Sequence, residues 1–216
     1  MRKISFYLYA VISCFLIGTL TQATFVSAQS SLLGVITNIK DLPIESAELN
    51  LKGKNTKIHI VTFSDLNGFF EFQDLEPDTY KVTAKRKGYR KSIQIVDLAE
   101  GENKEIEIIM KYSLTGKWRG YFETSLRSRT GITVRFNQSG KNIEGTLNGG
   151  RGISGTITGT LDADTAKFTF EQTTPCSGRF NGVAIISEDG DEMEFTVKGN
   201  NCLGRHRNGS GILNRK

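Results

Sequence analysis

The residues able to carry chemistry are few and scattered. Three cysteines stand at positions 14, 176 and 202, and the two histidines are His59 and His206. Neither histidine has a companion at metal-ligand spacing, so a surface or packing role is expected for each. Carboxylates concentrate in Glu188-Asp189-Gly190-Asp191-Glu192. That run reads as a hairpin tip, where water keeps carboxyl pKa values ordinary. Asp65-Leu66-Asn67 offers two oxygen donors of a calcium loop but lacks the other ligands and the bidentate Glu, so no metal is expected.

Cations concentrate in Lys85-Arg86-Lys87-Gly88-Tyr89-Arg90-Lys91. Such a run would suit an acidic polymer or an anionic lipid. The plainer expectation is a solvated hairpin, with Gly88 in the turn, Tyr89 packed and the cations in water. No Gly-x-Ser-x-Gly elbow, phosphate loop or dinucleotide fingerprint occurs, and no cofactor is implied. The expectation is a protein that binds rather than transforms.

What must position these residues begins after a leader. Arg2-Lys3 precede an apolar run from Ile4 to Leu20, and Val26-Ser27-Ala28 supplies small residues for cleavage between Ala28 and Gln29. Residues 1–28 therefore read as a signal peptide. The alternative takes Val11-Ile12-Ser13-Cys14 as a lipobox with Cys14 as the lipid-bearing terminus. A retained transmembrane helix is not expected, because Thr19, Thr21, Gln22 and Thr24 interrupt the run. Export places the chain in periplasm, at the cell surface or outside the cell. The net charge of +5 falls to +3 once Arg2 and Lys3 leave, too little asymmetry to point to nucleic acid.

Composition fits an all-β chain, with 23 glycines, 13 phenylalanines, one tryptophan and no long amphipathic helical pattern. Residues 29–112 alternate as a half-buried sheet requires. Leu49 and Leu51, Ile58 and Ile60, Phe70 and Phe72, Tyr80 with Val82 and Ala84, Ile93 and Ile95, and Ile106 with Ile108 and Met110 are expected inward. With an opening strand at Gly34–Ile39, the count is seven. Asp65 and Asn67 cap a turn in which Gly68 takes positive φ, and Pro77 fixes the next corner.

Gly34-Val35-Ile36, Pro43 with Ala47, Ser64-Asp65-Leu66-Asn67-Gly68-Phe69-Phe70, Leu75-Glu76-Pro77-Asp78-Thr79-Tyr80 and Gly88-Tyr89 occur in an order that resembles a carboxypeptidase regulatory-like domain over residues 31–111. The resemblance implies a transthyretin-like, or carbohydrate-binding-like, seven-stranded β-sandwich acting as an accessory module. Its relatives include sugar-binding domains, so a cell-surface glycan or an envelope protein is an implied partner. The quoted residues are turn and core positions, and no sugar-contact residue carries over. Where the family reads Pro-Gly, this chain has Pro77-Asp78, which Asp tolerates through local hydrogen bonds.

Residues 113–216 read as eight short strands, near 116–125, 130–138, 141–148, 152–161, 166–172, 177–187, 191–199 and 205–215. Their Ser-Gly, Gly-Gly and Asp-Gly turns suggest an up-and-down antiparallel β-barrel. Ile153, Gly155, Ile157, Gly159 and Leu161 are expected to share the dry face. Gly116-Lys117-Trp118 on the first strand resembles lipocalins, with Arg215 as a cation stacked on the indole. Trp118 would then floor a cavity for a small apolar ligand. Eight strands enclose space barely wide enough for side chains, so a filled or nearly filled interior is the stronger expectation.

With Cys14 lost to the leader, Cys176 and Cys202 remain as an even pair, symmetric about the Glu188–Asp191 turn and expected to form a disulfide. A redox pair is not expected, because neither has a second cysteine within a few residues. Three functional classes stay open: a noncatalytic exported binding or accessory protein, a carrier of a small apolar ligand in the barrel, and an enzyme with a site between the domains.

Overall fold

Period-2 alternation builds both halves of the chain. The structure is a computed structural model that describes residues 29–124, 129–200 and 206–216. The expected leader with Cys14 and Ala28, and also Cys202, lie outside the described residues. The first half holds β1 (Ser30–Asn38), β2 (Glu48–Gly53), β3 (His59–Phe63), β4 (Phe69–Leu75), β5 (Asp78–Lys85), β6 (Ser92–Leu98) and β7 (Asn103–Met110). They form a three-stranded sheet, β4-β1-β7, facing a four-stranded sheet, β3-β2-β5-β6. The β1–β7 pairing is parallel, and every other ladder of the sandwich is antiparallel.

Inward residues of the two sheets meet in a core that includes Leu32, Leu49, Leu51, Phe70, Phe72 and Tyr80. Ile58, Ile60 and Ile106 are partly buried against it. Two expected core residues face the other way: Ile93 is 46% exposed and Ile95 is 64% exposed, whereas Val96 and Leu98 are buried. The cause is register. Val96 lies opposite Tyr80 and Gln94 opposite Val82, so the even-numbered side chains of β6 point inward. Gln94 at that edge donates to the Glu107 carbonyl at 2.7 Å, which satisfies its amide where Ile would have gained no such bond.

The turns follow their chemistry. Asp65 Oδ1 accepts from the backbone N–H of Asn67 and of Phe69, each at 2.8 Å, and Gly68 has φ of 74°. Asp78 does more than tolerate its corner. Its carboxylate accepts from the backbone N–H of Asn55, Thr56 and Thr79 and from the Asn55 and Thr56 side chains. Those bonds, led by that from the Thr56 amide, hold its pKa well below the usual carboxylate range.

The second half is a closed barrel of β8 (Gly116–Thr124), β9 (Arg129–Ser139), β10 (Asn142–Gly149), β11 (Ser154–Asp162), β12 (Thr165–Thr174), β13 (Gly178–Ile186), β14 (Glu192–Asn200) and β15 (His206–Arg215). Each strand pairs antiparallel with the next, and β15 pairs with β8 to close the cylinder. Closure leaves no free sheet edge.

The sandwich docks on one end of this barrel. Tyr89 and Tyr112 stack with ring centroids 5.1 Å apart, and their hydroxyls donate to the Glu188 carbonyl at 2.6 and 3.2 Å. Burial pushes the Tyr112 hydroxyl above its ordinary range, and the Asn38 side-chain amide donates to it at 3.0 Å. A Cβ on Gly190 would meet the Gly88 Cα at 3.1 Å, so two turns touch backbone to backbone. Lys40 pairs with Asp164 across the same junction. The 188–192 turn is therefore not a solvated tip: it joins the sandwich, and the tip of the basic hairpin at Gly88-Tyr89 is buried against it. A carbonyl shared by two buried tyrosines, and a glycine contact that admits no side chain, are what the acidic composition of the turn concealed.

Candidate ligand-binding site

Alternation along the barrel strands sends apolar residues inward. On β9 these are Ile132, Val134 and Phe136, on β11 Ile157 and Leu161, and on β14 Met193, Phe195 and Val197, all buried. They do not fill the interior. A cavity of about 350 Å³ remains inside the barrel. The expected filled core fails because several rings lie against the wall rather than across the axis. Phe168 lies over Gly182, where a Cβ would meet its Cζ at 2.3 Å, and Phe122 covers Gly209 in the same way. Phe122, Leu147, Ile153 and Phe168 line the space and are only partly buried.

The two ends of the cavity differ. Toward the sandwich, the floor is Leu114, Leu213 and Met193. Toward the far end, where β8, β10, β12 and β14 finish, the polar lining among the described residues is Thr124, Arg151, Gln172 and Arg207, and it includes no carboxylate. Arg151 sits in the 3-10 turn Gly150–Gly152, with φ of 58°. Arg207 lies on β15 in phase with the inward Leu213. Neither arginine has an ion pair among the described residues.

Trp118 is fully buried but does not line the cavity. Its indole N–H donates to the Leu114 carbonyl at 2.8 Å, and the Arg215 guanidinium lies 4.2 Å over the ring. Arg215 also donates to the carbonyls of Ser113, of Thr115 at 2.9 Å and of Gly190 at 3.0 Å, and pairs with Asp191 at 3.4 Å. The stacking has the expected geometry, but its place does not suit a ligand. Trp118 and Arg215 plug the barrel behind the cavity floor, because a carbonyl and a stacked cation occupy the polar and π faces of the indole.

The remaining candidates do not converge. His59 is exposed on β3, with Nε2 2.5 Å from Asn50 Oδ1. His206 opens β15, and its side chain lies outside the described residues. Among the described residues, no three of His, Cys, Asp and Glu gather as a metal site. Cys176 lies beside the cavity, just before the β13–β14 ladder that pairs Arg179 with Asn200. Sequence reasoning missed Arg151, Gln172 and Arg207. Counting by twos from Leu213 to Arg207, and from Phe170 to Gln172, would have found two of them, whereas Arg151 belongs to no periodic run.

No curated protein sequence matches the chain. Among solved structures, it is similar to EF1p2_mFAP2b bound to DFHBI, with 13% identity over 48% of this chain and 94% of that one, at a TM-score of 0.44. A redesigned β barrel, b11L5F_LGL, matches at 18% identity over 48% of this chain and 91% of that one, with a TM-score of 0.41. BcpA, the major pilin subunit of Bacillus cereus, matches at 11% identity over 86% of this chain and 68% of that one, with a TM-score of 0.38. The family model that matches is that of the carboxypeptidase regulatory-like domain, over residues 31–111, which span the sandwich ahead of the barrel.

Proposed function

We propose that the protein is a noncatalytic exported binding protein whose barrel takes up a small apolar molecule, with the sandwich as its accessory module. The observation that carries this reading is the cavity lined by Phe122, Leu147, Ile153 and Phe168, whose apolar surface has no protein atoms packed against part of it. Covering that surface stabilises a bound ligand by about 25 cal/mol per Å². A cavity of about 350 Å³ is at the small end of ligand pockets. It admits on the order of ten to twelve heavy atoms at about 30 Å³ each. A noncatalytic role is supported by hydrocarbon walls without a carboxylate or imidazole among the described residues. Export is supported by the leader-like residues 1–28.

The test is titration of the protein, as exported from cells, with 1-naphthylamine, a neutral dye small enough for the cavity whose emission responds to apolar surroundings. Saturable one-to-one binding is expected in the wild type and loss of it in Leu147→Trp, which fills the cavity. Absence of saturation, or undiminished binding in a folded Leu147→Trp variant, removes the reading.

A second reading, recognition of a glycan or envelope protein by the sandwich, draws on Val61 and Phe63, which are 47% and 61% exposed on edge strand β3. A glycan array decides its carbohydrate form. Binding that disappears in Phe63→Ala supports it, and failure with every class of sugar eliminates it.

A further inference from the structure

The cavity is apolar along its walls and floor, yet its far end carries cations that have no ion pair among the described residues. Arg151 sits between β10 and β11, Gln172 on β12 and Arg207 on β15. In the cyclic strand order, β8 and β9 separate β15 from β10 on one side, and β12, β13 and β14 separate it from β11 on the other. The two arginines thus stand on well-separated parts of the rim. Nearby acids are already engaged: Glu123 pairs with Arg129 at 3.5 Å, and Glu171 faces Arg179 at 3.8 Å on the outside of the wall. Gln172 donates to the Cys176 carbonyl at 3.1 Å, which leaves its side-chain oxygen as an acceptor and fixes the direction of its amide.

A cation beside an apolar space with no carboxylate to neutralise it favours a ligand that brings the anion. We propose that the barrel binds an anionic amphiphile, tail inward against Phe122, Leu147 and Phe168, with a carboxylate head at Arg151 and Arg207. This rests on the proposed function of the cavity and narrows it to a chemical class. The size agrees: a tail of about ten carbons, at roughly 30 Å³ per group, occupies most of the cavity and leaves the head at the rim. Guanidinium groups suit a carboxylate because their forked donors match its two oxygens. A neutral ligand of the same tail length would forgo that contact, and a cationic one would meet repulsion.

The experiment is displacement of 1-naphthylamine by decanoate, decanol and decylamine at an ionic strength of about 0.01 M, where surface charge is least screened. In the wild type, decanoate is expected to displace the dye at a concentration at least about tenfold below decanol, with decylamine weakest. Arg151→Gln with Arg207→Gln should bring decanoate to the level of decanol without changing decanol itself. Arg207→Lys, which keeps the charge, should retain most of the preference. If the dye binds but decanoate shows no advantage over decanol, the anionic class is wrong and the apolar cavity stands. The anionic class falls equally if the double variant keeps the full advantage. If the dye does not bind at all, both readings fall.

Discussion

Replacing Arg215 with Met should loosen the junction between the domains while leaving the cavity intact. The side chain of Arg215 is 5% exposed, and its guanidinium serves three backbone carbonyls, one carboxylate and one indole face. The cation–π contact contributes about 0.5–2 kcal/mol, and each bond from a charged donor about 1.5–3 kcal/mol. Against this stands a desolvation cost of several kcal/mol for burying the charge, which Met does not incur. Burial lowers the pKa of Arg215 somewhat, opposed by Asp191, but the group remains charged at neutral pH. Water can reach some of the freed carbonyls, so the net loss expected for Arg215→Met is about 2–4 kcal/mol. At roughly 2–4 °C per kcal/mol for a chain of this size, that is a fall of about 5–15 °C in Tm. Because Ser113 and Thr115 belong to the connection and Gly190 to the docking turn, calorimetry is expected to resolve two transitions in the variant and a single one in the wild type. Arg215→Lys should recover less than half, since one ammonium cannot span three carbonyls. Dye binding should persist at low temperature. A midpoint within about 0.5 kcal/mol of wild type would refute the structural role. Lost dye binding with an intact fold would return Arg215 to the ligand site.

Acid should weaken the sandwich through Asp78. Its folded pKa lies below the unfolded value, so its contribution is fully present above about pH 5 and fades as pH falls below about 4. Urea midpoints measured from pH 6 to pH 2 should therefore decline, and Asp78→Asn should flatten the decline; an unchanged slope would remove Asp78 as its source. On β6, Ile95→Thr should change stability by less than about 0.5 kcal/mol, whereas Val96→Ala should cost about 2 kcal/mol. The opposite order in chemical denaturation would overturn the register. We propose the Cys176–Cys202 disulfide from the sequence pairing. Intact mass under non-reducing conditions should be about 2 Da below the reduced mass, and reduction should cost about 3.5 kcal/mol or less; two free thiols in protein isolated without reductant would exclude it.

Most of the framework was legible because strands and turns are local. The seven strands of the sandwich and the eight of the barrel follow alternation and turn residues, and the closing ladder between β15 and β8 follows from their count. Legibility stopped where two phases of one strand were both apolar. In Ser92-Ile93-Gln94-Ile95-Val96-Asp97-Leu98, either phase holds two aliphatic residues, and only the pairing with β5 decides between them. It stopped again at the docking turn, because Glu188 acts through its carbonyl and Gly190 through its lack of a side chain. The cavity was hidden for a related reason. Summed side-chain volume does not tell whether Phe168 crosses the axis or lies flat on Gly182.

Strand β15 condenses the difference between a structural residue and a candidate binding residue. Arg207, Gly209, Gly211, Leu213 and Arg215 share one phase, so their sequence pattern places two arginines inside the barrel, about 26 Å apart at roughly 3.3 Å per residue. At the sandwich end, Arg215 meets an indole and a ring of carbonyls that consume its donors. At the other end, Arg207 borders an unfilled apolar space and has no ion pair among the described residues. The glycines between them admit the rings of Phe122 and Phe195, which line the cavity above its floor. Residue type and periodicity are the same for both cations. What distinguishes them is the supply of acceptors: the domain junction provides them at one end, and at the other, among the described residues, no carboxylate does, which is the ground for the proposed anionic ligand.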